Sequence, residues 1–243
     1  MEIRVMTYNI HHGKGTDKQV NLERIAEVIK NCRADIVGLN EVDKHFSLRS
    51  DFEDQIDLLA KKLDMHHAFS PSLSLKPKKS MKVRQYGNAL LSRFPINKVH
   101  CHHFNFISGL IEGRSLLYSN IQIESQSLDL YVTHLSLNPF LHRMQTDFIA
   151  KTMNKQKAKT IVMGDFNMIP PSKGWRKLTN ILYDVWTVAG DGKGHTHPSL
   201  NPRLRLDYIF TNSPEIIIKK AEVIQSACEA SDHLPLMAHI ELT

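Results

Sequence analysis

The sequence predicts an α/β protein in which two packed β-sheets are covered on the outside by helices. Short apolar runs rich in Val, Ile, Leu and Tyr recur along the whole chain, bounded by Gly, Pro, Asn or Ser. Few segments between them show the spacing of an amphipathic helix. Many short strands with few helices bury their apolar faces by packing sheet on sheet.

The strands expected are 3–9, 35–40, 89–92, 115–123, 128–134, 160–164, 206–211, 216–223 and 236–240. Ile121 and Ile123 alternate with polar residues, as do Leu128 and Leu130, and the two runs flank Ser125-Gln126-Ser127 as a hairpin. Asn21 is placed to cap a first helix through Ile25, Val28 and Ile29. Phe52, Ile56, Leu59 and Leu63 make the apolar stripe of a second, and a third is expected around 141–153.

Of the 243 residues, 42% are hydrophobic, enough for one domain over 1–243. No run approaches the roughly 20 apolar residues of a membrane span. The start, Met1-Glu2-Ile3-Arg4-Val5, carries no leader pattern, so a cytoplasmic protein is expected, and a monomer. Cys32, Cys101 and Cys228 are odd in number and far apart, which disfavours a disulfide framework. The net charge of +6 would attract a polyanion.

Polar residues stand at the ends of several strands. Thr160–Gly164 runs into Asp165-Phe166-Asn167; if the chain stays extended, Asp165 and Asn167 share one face and Phe166 turns into the core. Asp207 opens an apolar strand, where a carboxylate is costly unless paired or metal-bound. His233, in Ser231-Asp232-His233, is its candidate partner, and such a pair would fix the imidazole tautomer and raise its pKa. Asn9, Glu41 and His134 end three further strands. A sandwich that presents such groups at one rim builds a site there.

The ordered set TYN, LNEVD, GNALLSR, EGR, THL, GDFN, LDYIF and SDH, from residue 7 to residue 233, resembles the endonuclease/exonuclease/phosphatase superfamily. That resemblance implies a four-layer α/β sandwich, with two mixed or antiparallel sheets flanked by helices and the site at one edge of both. It implies a Mg²⁺-dependent phosphoesterase, with Mn²⁺ as a substitute. Glu41 would be the main metal ligand, with Asn9 and Asp232 nearby. Asp165 would orient or deprotonate the attacking water, and Asn167 would hold a phosphate oxygen. His233, paired with Asp207, would neutralise the phosphate; His134 would stabilise a non-bridging oxygen, and Arg114 would help position the site. The residue types suit the chemistry, since Mg²⁺ needs only one or two carboxylates beside its waters and phosphoryl transfer asks mainly for positioning and charge neutralisation. Two positions depart from the pattern: Asn40 replaces the usual glutamine before the metal glutamate, and His11 stands where several DNA-cleaving members have an aspartate. His11 and His12 are read either as substrate contacts or as surface histidines.

The resemblance implies a phosphate-ester substrate, and a phosphodiester of nucleic acid or nucleotide is favoured. Lys76, Lys78, Lys79, Lys82 and Arg84 offer a basic lip or a solvated loop. Lys151, Lys155, Lys157 and Lys159 are read as finishing a helix. A lipid phosphodiesterase would want an exposed apolar wedge, for which residues 104–107 are the candidate, alternatively a strand; a small-molecule phosphatase needs neither feature. His195-Thr196-His197 alone is weak support for zinc, and a non-catalytic binding module would lack Asp165 or His233.

Overall fold

The structure is a computed structural model, and it describes residues 1–77, 82–105 and 113–243. The described residues fold into two six-stranded sheets. The first runs β11-β12-β1-β2-β4-β3 and the second β5-β6-β7-β8-β10-β9. In chain order the strands are β1 (Glu2–Asn9), β2 (Ile36–Lys44), β3 (His66–Leu75), β4 (Arg84–Ser92), β5 (Ile96–His103), β6 (Ser115–Ile123), β7 (Gln126–His134), β8 (Thr160–Asp165), β9 (Tyr183–Asp184), β10 (Asp207–Thr211), β11 (Ile216–Val223) and β12 (Leu236–Leu242). The helices are α1 (Leu22–Asn31), α2 (Gln55–Leu63), α3 (Pro139–Met153), α4 (Lys173–Thr179) and α5 (Val185–Ala189).

Three apolar clusters correspond to the layers. One lies between the sheets, with Val5, Ile36, Leu90, Val132, Ile161 and Met163. A second joins α1 and α2 to the outer face of the first sheet through Ile25, Ile29, Ile56 and Leu59. The third sits on the second sheet, where Ile149 and Met153 of α3 meet Phe166, Tyr208 and Phe210. The sheets come close: a Cβ on Gly38 of β2 would lie 2.8 Å from the Met163 sulfur on β8. A side chain at position 38 would have to displace the Met163 side chain, so close packing across the interface favours glycine there.

All nine expected strands form. The β6–β7 hairpin pairs Ile123 with Gln126 across Glu124-Ser125. Asn21 caps α1 by accepting from Glu23 N–H and Arg24 N–H. Strands β3, β5 and β9 and helices α4 and α5 were not expected. β3 and β5 are rich in His, Ser and Lys and lie at or near sheet edges, so their alternation is weak. Phe52 does not belong to the second helix: it adopts φ +54, and α2 begins at Gln55 behind the Asp54 cap. Only Lys151 of the four lysines lies within a helix, because α3 ends at Met153; Lys159 instead reaches Gln126 and Glu215. Phe104 is buried beside Phe148 rather than exposed as a wedge, and residues 106 and 107 lie outside the described residues. So do Lys78 and Lys79 of the basic lip; Arg84 is tied to the Phe46 carbonyl. Among the described residues no helix is long and apolar enough to cross a membrane.

Candidate active site at the shared rim of the sheets

Strand direction explains why the polar strand ends meet. β1 and β2 are parallel, as are β7 and β8, so Asn9, Glu41, His134 and Asp165 all lie towards C-terminal ends. β10 runs antiparallel to β8 with Asp207 opposite Asp165, and β12 runs antiparallel to β1, which brings the preceding His233 to the same rim. Local backbone refines the placement. A register irregularity between Leu39 and Val42 in the β2–β4 pairing contains Asn40 and Glu41, and Glu41 takes φ +61. Such bulges re-aim side chains beside sites. Gly164 has φ +142, and a Cβ there would meet the Thr133 carbonyl at 1.8 Å, so only glycine lets β8 lie this close to β7.

Asp165 is the hub. Its Oδ2 accepts from the Asn9 amide at 3.1 Å and lies 3.5 Å from His134 Nε2 and 3.8 Å from His233 Nε2. Its Oδ1 accepts from Asn167 N–H at 2.9 Å. Burial raises its pKa, the His233 cation opposes this, and Asp207 adds to it, with the result pushed up to about 7. The His233 ring is set by Asp207, whose Oδ2 lies 2.8 Å from Nδ1 and also accepts from Thr196 Oγ1 at 2.6 Å. A carboxylate only accepts, so Nδ1 carries the proton and Nε2 faces Asp165. Burial works against the imidazolium, but Asp207, Asp165 and Asp232 outweigh it, and the His233 pKa is pushed up to about 10. His134 moves the other way: burial and the cations of Arg114 and His233 hold it well below the usual histidine range, so it is neutral. Two buried imidazoles in one site are therefore in opposite charge states.

Asn167 is close to Asp165, as expected, but not through a continuous strand. β8 ends at Asp165, Asn167 adopts φ +46, and its amide donates to the Leu135 carbonyl at 2.9 Å. One amide hydrogen remains for a substrate oxygen. Phe166 is fully buried, as expected. Arg114 is buried, with its charge near enough to His134 to depress its basicity.

Of the three residues expected at a metal, Asn9 and Glu41 are in direct contact and Asp232 reaches them through His11. Asn9 donates to Glu41 Oε1 at 3.0 Å while its own Oδ1 accepts from His11 N–H, so it braces two carboxylates. Asp232 is partly exposed and lies 3.5 Å from His11 Nδ1. Glu41 also groups with His11 and His12, with ligand atoms of all three within 4.8 Å of one another. A partly exposed carboxylate beside further donors suits a divalent cation. His12 is not a surface residue, being 7% exposed. Thr196 and His197 were missed as supports: Thr196 bonds Asp207, and the His197 ring packs 4.5 Å from that of His233. His195 bonds the Pro202 carbonyl through Nδ1. Only their closeness in sequence to Asp207 hinted at this support.

A profile of the Endonuclease/Exonuclease/phosphatase family matches residues 6–233. The chain belongs to this family. Its members are hydrolases acting on phosphate esters. The fold is similar to that of an endonuclease/exonuclease/phosphatase from Beutenbergia cavernae, at 23% identity and TM-score 0.82, covering 99% of this chain and 72% of that one. It is also similar to a mannosyl-6-phosphatase from Bacteroides thetaiotaomicron (17% identity, TM-score 0.78, 99% and 100% covered). The human Nocturnin catalytic domain with bound sulfate is a third such structure (20% identity, TM-score 0.75, 100% and 95% covered). No curated protein sequence matches the chain.

Proposed function

We propose that this chain is a divalent-metal-dependent phosphoesterase that hydrolyses a phosphodiester of the nucleotide or nucleic-acid type by in-line attack of water. The observation that carries the reading is the buried row Asp207–His233–Asp165, in which one carboxylate fixes a cationic imidazole and that imidazole faces a carboxylate poised near neutrality. Asp165 sits at the pKa a general base needs at neutral pH, and it receives the proton of the attacking water. His233, held protonated by Asp207, neutralises charge on the phosphoryl group as it builds. His134, uncharged, donates a hydrogen bond to a non-bridging oxygen. The remaining Asn167 amide hydrogen orients another, and Arg114 supplies positive charge behind them. Glu41 would hold a divalent cation, with Mg²⁺ or Mn²⁺ as the ions to supply, and such an ion would supply Lewis-acid stabilisation of the phosphate and of the leaving oxygen.

A cavity of about 600 Å³ borders Asn167 and is lined by His142, Arg143, Met168, Ile169 and Lys173 among others. Its size suits a small leaving group. A second reading is therefore a small phosphate monoester, the class named for the Bacteroides mannosyl-6-phosphatase.

Hydrolysis of a panel with and without metal tests both readings: bis-p-nitrophenyl phosphate, a p-nitrophenyl monoester, a dinucleotide, abasic-site DNA, single-stranded DNA and sphingomyelin. Metal-dependent cleavage of the nucleotide diesters is expected. Cleavage of the monoester alone would replace the first reading by the second, and no turnover of any ester would sink both.

A further inference from the structure

We propose that His11, His12 and Glu41 form one mixed nitrogen–oxygen site for a divalent transition-metal ion such as Mn²⁺, in place of the all-oxygen magnesium site that the family resemblance implies. The inference rests on reading Glu41 as the metal carboxylate and concerns what completes that site.

Donor geometry is the first argument. One ligand atom from each residue lies within 4.8 Å of the other two. Donors on a shared cation with bonds of about 2.1 Å stand roughly 3–4 Å apart, so only a small closure is needed. Two imidazoles and one carboxylate suit first-row transition ions, whereas Mg²⁺ takes oxygen.

Backbone strain is the second. His11, His12 and Glu41 have φ of +45, +46 and +61, values that non-glycine residues seldom adopt. They come from two separate segments, and their side chains converge on one point. Strain held at a convergence marks a site that the surrounding structure enforces.

The third is His12 itself. The residue is 7% exposed, and neither ring nitrogen makes a hydrogen bond among the described residues; the ring packs edge-on to that of His11, with centroids 4.6 Å apart. Both ring nitrogens are thus uncommitted to protein partners, and an imidazole nitrogen of this kind is a ready ligand for a transition ion. The backbone is fixed to keep it there: Gln55 donates to the His12 carbonyl at 2.9 Å and accepts from Asp43 N–H at 2.9 Å. Supporting contacts surround the donors as well. The Asn9 amide bonds Glu41, and the Asp232 carboxylate lies 3.5 Å from His11 Nδ1, the kind of partner that orients a ligating histidine.

The test uses the full chain, stripped of metal by chelation, loaded with Mn²⁺ and read by pulsed electron paramagnetic resonance. Nitrogen modulation from directly bound imidazole is expected, changing to the ¹⁵N pattern when only histidine is ¹⁵N-labelled. Labelling requires no substitution, so folding is not at issue. His11→Ala, at a partly exposed position, should remove one nitrogen and weaken Mn²⁺ binding by more than the roughly 10–100-fold typical of losing an outer partner. Bound Mn²⁺ that Glu41→Gln abolishes but that shows no nitrogen coupling would overturn this inference and leave the metal reading of Glu41 standing. Absence of bound Mn²⁺ would overturn both.

Discussion

Asn40 and Asp165 belong to different sheets, yet the Asp165 N–H donates to Asn40 Oδ1 at 2.8 Å. The same buried amide donates to Asn88 Oδ1 at 2.8 Å on a neighbouring strand and to the Thr133 carbonyl at 2.9 Å across the interface. The departure from the family's usual glutamine is thus a clasp between the layers, with no hydrogen-bonding atom left idle.

Asn40→Ala should strand several buried polar groups at once. Each unsatisfied group costs about 1–3 kcal/mol, so a loss of at least about 2 kcal/mol is expected in urea denaturation. Turnover should fall as well, because Asp165 loses its backbone anchor. Wild-type stability in the variant would refute the clasp.

Asp165→Asn removes the proposed base while keeping its shape. A drop in kcat of about 10²–10⁴-fold is expected, with the circular dichroism spectrum and melting temperature near those of wild type. His233→Ala should lose activity to a similar or greater extent. Near-normal turnover in either would remove the mechanism.

The His233–Asp207 pair predicts a pH dependence of stability. Its folded pKa, about 10, lies above the unfolded value of 6.5. The pair's stabilisation is therefore fully present below about 6.5 and is lost as pH rises through about 10. Melting temperatures from pH 6 to 11 should show an alkaline decline that Asp207→Asn flattens. An identical decline in the variant would show that another group is responsible.

Much of the fold and its rim was legible because buried strands have strong patterns and a polar residue at the end of an apolar run is conspicuous. Asn9, Glu41, His134, Asp165, Asp207 and His233 all announce themselves in this way. Edge strands do not: His66–Leu75 and Ile96–His103 form through hydrogen bonding to neighbours, with little apolar alternation. The left-handed turns at His11, His12 and Asn167 were also unreadable, since none has the glycine that normally signals positive φ. For that reason His12 stayed open between a substrate contact and a surface histidine, and the side-by-side placement of Asp165 and Asn167 hung on an extended run that the turn at Asn167 interrupts.

Arg205 and Asp184 give a test away from the chemistry. Both are buried, the guanidinium makes two bonds to the carboxylate at 3.1 and 2.8 Å, and Trp175 Nε1 donates to the same group at 2.8 Å. Removing one partner leaves a buried charge, so Arg205→Ala should cost about 3–5 kcal/mol in chemical denaturation. KM should hold at temperatures where the variant stays folded.

The close approach at Gly38 and Met163 means that the groups of the rim are mounted on two separate plates, Asn9 and Glu41 on one, Asp165, His134 and Asp207 on the other. Their separation is set by whatever fills the gap behind them. Interior residues that touch no reacting atom thereby become a tuning screw for the chemistry. A wedge as small as Gly38→Ala would open the plates at the base and pull the two halves of the rim out of alignment. Function should then fail while most of the folding free energy is still intact, so a screen for thermal stability alone would overlook the damage.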